Sequence, residues 1–215
     1  ITTTLRNVSE AFSVNGAMLR SLLSKRTWRL YKEQLSTSKE FKHYYDEDLW
    51  SQEGKKLDGL IPENYVVYGE LIGWVPGSGK PIQPHYTYDC PVGTCNLYVY
   101  RVAVVNPRGL SVDLHWDAVK LFCMERGLNP VPELWRGRRY DLVATDWLDK
   151  NFAKNDGWYP GSVPLSSDSP CDEGIVVRCD GLGYTPAMHK AKSPLFLQLE
   201  TRLLDKGEAS VEENP

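Results

Sequence analysis

The run Asp172-Glu173-Gly174-Ile175-Val176-Val177-Arg178 is followed, fewer than twenty residues on, by His189-Lys190-Ala191-Lys192. An acidic residue and a glycine open a β-branched stretch, which reads as a strand. In a second strand, Lys190 and Lys192 stand at i and i+2 and so point to one face. Two ammonium groups are thereby aimed at one spot, while Glu173 brings a carboxylate to an adjacent strand. Two cations and a metal-capable carboxylate around one point suit a triphosphate with a divalent ion. Taken singly, each piece has a plainer reading. Glu173 can be an edge charge, and the lysines can be solvated residues of the kind that keep sheet edges from aggregating.

The chain has 215 residues, 41% apolar and 25% charged, which suits a soluble globular protein of one large domain, or one and a half, with a substantial core. No apolar run approaches membrane-spanning length and no signal-peptide pattern opens the chain. The net charge of −3 gives no global basic field, so contact with a polynucleotide must come from local patches such as Lys25-Arg26 with Arg29, or Arg136 to Arg139. The five cysteines are an odd number. Cys90 and Cys95 form a C-x4-C half-site, but no second pair stands at zinc-ligand spacing, and free thiols in a reducing cytosol are the expectation. The chain opens on Ile1 rather than Met, in a Thr-rich run, and reads as a fragment whose true start lies upstream.

Strand patterns cover Ile1 to Asn7, Tyr65 to Gly73 and Leu97 to Val105. Asn106-Pro107-Arg108-Gly109 is a turn that returns the chain as a strand over Leu110 to Leu114. Shorter strands are expected at Ile175 to Arg178 and Met188 to Lys192. Helical spacing is seen in Ala17 to Leu35, Asp117 to Gly127, Asp141 to Lys154 and Phe196 to Asp205, with a polar surface helix and loop within Ser36 to Leu60. Pro76 to Pro84 and Asn155 to Asp172 are loops. Strands that pair locally, with helices outside, predict an α+β fold on antiparallel sheets.

Two more stretches carry chemistry. Tyr68-Gly69-Glu70 puts a carboxylate after a glycine inside a buried-looking strand, which marks either the close approach of a ligand or backbone, or a bulge with an exposed edge Glu. Leu97-Tyr98-Val99-Tyr100-Arg101 puts two tyrosines on one face of a strand, able to stack a purine or simply to fill a core.

In this order the four stretches resemble the motifs of the covalent nucleotidyltransferases, the ATP-dependent ligases and capping enzymes, and most of all the phage-type RNA ligases. Tyr68 to Gly73, introduced by Ile61-Pro62-Glu63-Asn64, resembles motif III. Leu97 to Arg101 resembles motif IIIa, Asp172 to Val177 motif IV, and Lys190-Ala191-Lys192 motif V. The resemblance runs from residue 61 to about 205. It implies an ATP-grasp-like ligase adenylation domain over residues 1–205, truncated at its N-terminus, with an acidic tail at 206–215.

The resemblance also implies roles. Glu70 would contact the ribose or help the reaction centre. Tyr100 would stack on adenine, with Tyr98 as second choice. Glu173 would bind Mg2+ (or Mn2+) or its water shell. Lys190 and Lys192 would contact the phosphates of ATP, with Arg178 suspected of a phosphate contact too. Arg26 or Lys25 would stand for the basic residue that follows the family's nucleophile. That nucleophile is a lysine in K-x-D-G or a close variant. Lys56-Leu57-Asp58-Gly59 matches the letters but lies only fourteen residues before Glu70, too few for the strand, turn and sheet that separate the two motifs in the family. The nucleophile is therefore expected just before Ile1, and the chain as given is not expected to form an enzyme–AMP adduct. Arg101 replaces an acidic residue common at its place.

The expected activity is joining of a 5′-phosphate to a 3′-hydroxyl RNA end through enzyme–AMP and RNA–adenylate intermediates, by a monomer in the cytoplasm of a cell or of a virus's host. Free or nicked RNA ends are the expected partners, with no membrane involved. A DNA ligase is the nearer alternative, but the roughly twenty residues after motif V hold no oligonucleotide-binding barrel. The alternative from another class is a non-catalytic nucleic-acid-binding module of the same fold.

Overall fold

The computed structural model describes residues 3–5, 49–152, 169–181, 183 and 185–207. The expectations for Ala17 to Leu35, for Lys25, Arg26 and Arg29, and for most of the Asn155 to Asp172 loop and the acidic tail lie outside the described residues. The chain divides into two compact units, Leu5–Leu60 on one hand and Ile1–Thr4 with Ile61–Pro215 on the other.

In the smaller unit the described element is α1, Leu49–Lys56. Leu49 and Glu53 are buried one turn apart, and Lys56, in the last turn, is ion-paired to the Glu53 carboxylate.

The larger unit is built on a five-stranded sheet in which β1 (Thr3–Leu5), β2 (Tyr65–Gly73), β3 (Cys95–Val105) and β4 (Ser111–Asp113) lie in that order. β2 and β3 are antiparallel, as are β3 and β4. The departure from the antiparallel expectation is β5 (Asn129–Pro130), a two-residue strand parallel to β3 at Tyr98 and Val99. Proline there is tolerated because β5 lies at an edge of the sheet.

The residues of β2 alternate as a half-buried strand should. Val67, Gly69 and Leu71 are buried on one face, while Tyr68 and Glu70 take the other. Val67 and Val99 with Val102 of β3 meet Val119, Phe122 and Cys123 of α2 (Trp116–Arg126) in the main core, where Tyr65 stacks on Phe122 at 5.4 Å. Helix α2 is capped by His115 and stops at Gly127, within a residue of the Asp117 start and at the glycine stop that the sequence predicts. It thus covers the Val67 face and leaves Glu70 on the face turned away from it.

A 3-10 turn (Arg139–Asp141) leads into α3 (Ala144–Phe152), which packs against a separate two-stranded sheet and against the last helix. That sheet pairs β6 (Gly174–Cys179) with β7 (Ala187–Lys192) in antiparallel register, and α4 (Pro194–Asp205) follows at once. Ser193 is fully buried at this junction. Its hydroxyl accepts from Phe196 N at 3.1 Å to cap α4, and donates to the Asp172 carbonyl at 2.7 Å. A second core of Tyr86, Cys171 and Phe196 lies beside it, with Tyr86 and Phe196 edge to face at 6.2 Å.

Arg178 ties the two sheets together. Its guanidinium donates to the carbonyls of Tyr100 (3.2 Å) and Leu114 (2.6 Å) and to Asp180 (2.8 Å), and lies over the Trp116 ring. Arg178, suspected of a phosphate contact, is half-buried and engaged by two backbone carbonyls and an aspartate, groups that would be stranded without it.

Candidate active site

Glu70 lies mid-strand in β2, exposed, and directly across from Tyr98 of β3. Directly opposed residues of an antiparallel pair share a face, so Glu70 and Tyr98 project together. The glycine before Glu70 is required by close packing. A Cβ at Gly69 would come within 2.8 Å of the Tyr98 carbonyl oxygen and 2.6 Å of Leu97 Cδ1.

Opposite Gly69 the register breaks. Tyr68 pairs with Arg101 and Gly69 with Val99, so Tyr100 is an extra residue in β3. The expectation that Tyr98 and Tyr100 share one face by simple alternation is corrected by this β-bulge. Tyr98 keeps the face of Glu70, and Tyr100 sits in the bulge with its carbonyl held by Arg178. Both readings of Tyr68-Gly69-Glu70 are thus partly met, since close approach and a bulge occur together.

The bulge also gives Arg101 its role. Its guanidinium forms a bidentate ion pair with Asp113 of β4, which is almost fully buried, and lies 4.4 Å from the Tyr68 ring centroid. An arginine here closes the β3–β4 hairpin.

Glu173 ends the approach to β6. Its carbonyl accepts from Ser193 N at 2.8 Å, continuing the ladder in which Gly174 faces Lys192 and Val176 faces Lys190. The acid and the paired lysines therefore come from adjacent strands at the same end of the small sheet. Gly174 adopts φ +143°, and a Cβ there would sit 2.2 Å from the Ala191 carbonyl, so only glycine allows the strands this approach.

Lys190 and Lys192 share a strand face as expected of residues at i and i+2. Lys192 Nζ is bound by both carboxylate oxygens of Glu200 on α4, at 2.8 and 2.7 Å, and lies 5.4 Å from the Phe196 ring. Lys190 lies on the same strand face and is exposed.

The loop between β2 and β3 closes over this end. Gln83 donates from Nε2 to Glu173 Oε1 at 2.6 Å. Tyr88 lies in the field of both key acids. Burial first, then the charges of Glu173 and Glu70, push its phenol well above the usual value, so it stays a neutral O–H. Tyr88 is thus within electrostatic range of Glu70 on β2 and of Glu173 at the approach to β6. Asp172, buried beside them, is pushed up to about 7, by burial first and by the Glu173 charge second. The loop holds three non-glycine residues at positive φ, His85 (65°), Tyr88 (50°) and Asp89 (58°), a cluster of strain of the kind found at functional sites.

Among the described residues no three histidine, cysteine or carboxylate side chains gather into a metal cage. One carboxylate at Glu173 fits Mg2+ nonetheless, because that ion is commonly held by one or two carboxylates together with substrate phosphates. Cys90 is buried, Cys95 half-buried, and both are free thiols. Arg136, expected in a basic patch for polynucleotides, is instead paired with Asp117 and Glu133.

Gln83, Tyr88, Glu200 and Asp113 were not legible as site residues. Glu200 alone had a local signal: Phe196 and Glu200 follow Lys192 at intervals of four, so a helix starting at Ser193 brings them to one side. No described helix is long and apolar enough to cross a membrane.

No curated protein matches the chain. The sequence motifs begin at residue 61, whereas the RNA ligase family model takes in residues 8–192, ending on the second lysine of β7. The chain therefore belongs to the RNA ligase family.

Proposed function

We propose that this chain is the adenylyl-transfer domain of an ATP-dependent RNA ligase of the phage type, with the nucleotidyltransferase fold. The observation that carries the proposal is the antiparallel pairing of β6 and β7, which sets Glu173 at the end of the strand pair that bears Lys190 and Lys192, with Gln83 of the loop after β2 bound to the same carboxylate.

In the proposed reaction a lysine amine attacks the α-phosphorus of ATP and pyrophosphate leaves. The 5′-phosphate oxygen of an RNA end then takes the AMP from the lysine. Finally a 3′-hydroxyl attacks that phosphate, a phosphodiester forms and AMP departs. Dividing the reaction this way replaces one hard step with easier ones. Lys190 and Lys192 neutralise charge on the phosphates as each transfer proceeds. Glu200 fixes the end of the Lys192 side chain, so its charge is oriented before substrate arrives. Tyr98 offers a ring to the adenine on the face of Glu70, with Tyr100 beside it in the bulge. A divalent ion held at Glu173 supplies further neutralisation of phosphate charge. The Gln83–Tyr88 loop engages Glu173 through the Gln83 amide.

The test is sealing of a 5′-phosphorylated, 3′-hydroxyl RNA nick, and of a preadenylated RNA strand, in the presence of Mg2+. The preadenylated strand bypasses the lysine step, so joining there isolates the chemistry of the described residues. Joining of RNA in preference to DNA is expected. Binding of RNA without joining, unaltered by Glu173→Ala and by removal of Mg2+, would instead indicate a non-catalytic module.

A further inference from the structure

The loop between β2 and β3 is attached to the segment that leads into β6 by three tethers. Gln83 donates to Glu173, Tyr86 donates to Cys171, and the Ser169 hydroxyl donates to the His85 carbonyl. The Tyr86 hydroxyl donates to the Cys171 carbonyl at 2.9 Å from a fully buried position. The near end of the loop is equally fixed. Ile82 N donates to the Gly73 carbonyl at 2.9 Å, and Trp74 and Pro81 form an isolated bridge. Gln83 is therefore the first residue past a tight closure on the end of β2, and its own carbonyl accepts from Tyr86 N at 3.1 Å. Its backbone is held from both sides, and its amide spans to the Glu173 carboxylate 90 positions away.

We propose that Gln83 is a positioning residue for Glu173: its amide N–H holds one carboxylate oxygen so that Glu173 meets the divalent ion and the phosphates in a fixed orientation. The inference rests on the metal role proposed for Glu173. Three features of the geometry support it. The donor is a neutral amide, which orients a carboxylate without cancelling its charge as a lysine would. The acceptor is a carboxylate oxygen, and hydrogen bonds to carboxylates are among the stronger ones. Gln83 is rooted in the strand of Glu70, so one side chain sets the Glu173 carboxylate relative to the other acid of the site. Residues in this outer position around a metal ligand typically govern affinity or activity by about ten- to a hundredfold.

The experiment uses the full chain. Mn2+ binding to the protein alone is followed by the EPR signal of the free ion, and the Mg2+ concentration for half-maximal sealing of preadenylated RNA is measured in parallel. Gln83→Ala is expected to weaken Mn2+ binding and raise the Mg2+ requirement, each about tenfold, with the KM for RNA unchanged. Gln83→Asn, whose amide is too short to reach, gives the same shift and serves if the alanine variant does not fold. Tyr86→Phe removes a neighbouring tether without touching Glu173 and is expected to keep the parent metal dependence. The proposal is overturned if the Gln83 variants bind Mn2+ as the parent does, or if Tyr86→Phe loses as much as they do. Glu173→Gln separates the two levels. If it abolishes metal dependence while Gln83→Ala is neutral, only the positioning role falls. If it too is neutral, the metal role of Glu173 falls, and the role of Gln83 with it.

Discussion

Arg178 donates to the carbonyl oxygen of Tyr100 at 3.2 Å, joining the strand of one sheet to the bulge of the other across 78 positions of sequence. The same guanidinium holds Leu114 and Asp180, and Asp180 in turn accepts from Trp116 N at 2.8 Å at the start of α2. Removing it strands two carbonyls and a carboxylate in a half-buried place. Arg178→Met is expected to cost about 3 kcal/mol in urea unfolding. Arg178→Lys recovers little of this, because an ammonium lacks the planar fork. ATP affinity at a permissive temperature stays at the parent level in both variants; a selective loss of ATP binding with full stability would support the phosphate role.

Lys192 and Glu200 are expected to act as a unit. Glu200→Gln releases an oriented cation and lowers the single-turnover sealing rate about tenfold, since orientation of a charged group carries much of the benefit. The double variant Lys192→Ala/Glu200→Gln is then no slower than Lys192→Ala alone. Additive losses in that double-mutant cycle would place Glu200 on a separate task.

Tyr98 shares the face of Glu70, and Tyr100 does not follow from it by alternation. Tyr98→Ala is expected to weaken binding of a non-hydrolysable ATP analogue about tenfold, from loss of base stacking, while Tyr98→Phe binds as the parent. Calorimetric titration checks this. An unaltered affinity in Tyr98→Ala, with a loss in Tyr100→Ala, would move the adenine to the bulge residue.

Glu133 and Asp117 are held below their ordinary pKa values by hydrogen bonds from Arg136 first, Glu133 to about 2. Folded carboxyls that bind protons more weakly than unfolded ones add stability above the ordinary carboxylate range, and that stability is lost as pH falls through the folded values. The melting temperature is expected to drop between pH 5 and pH 2 by less in Glu133→Gln than in the parent, and by less for the parent in high salt because the cluster is exposed. Identical acid profiles for parent and variant would refute the assignment.

Lys56 has the letters of a nucleophile, but its ammonium pairs with Glu53 at the end of a helix. Mass spectrometry after incubation with ATP and Mg2+ is expected to find no AMP on the Lys56 peptide. A stable adduct there would make it the nucleophile.

Much of the larger unit was legible because its signals are local. The alternation of Tyr65 to Gly73, the turn at Asn106 to Gly109 and the stop at Gly127 each depend on neighbours in sequence, and each element stands where these features put it. The bulge at Tyr100 was not legible, because the register of two strands is set by their pairing and not by either alone. Nor was β5, whose two residues carry no periodicity. The order of Glu70, Tyr98, Glu173 and the lysine pair could be read as a resemblance. Their partners could not: Gln83 meets Glu173 across 90 positions, and Tyr88 takes a positive φ that its residue type does not announce. The partners of Arg101 and Arg178 were not legible for the same reason, since what a guanidinium binds is decided by tertiary proximity.

The central claim is that Glu70 and Glu173 belong to one reaction site. Single-turnover sealing of preadenylated RNA by Glu70→Gln, Glu173→Gln and the double variant tests it most directly. Each single variant is expected to be slower by about a hundredfold or more, with the melting temperature unchanged, and the double variant far less than the product of the two losses. Full-rate sealing by Glu173→Gln in Mg2+, or strictly multiplicative losses, would contradict a shared site.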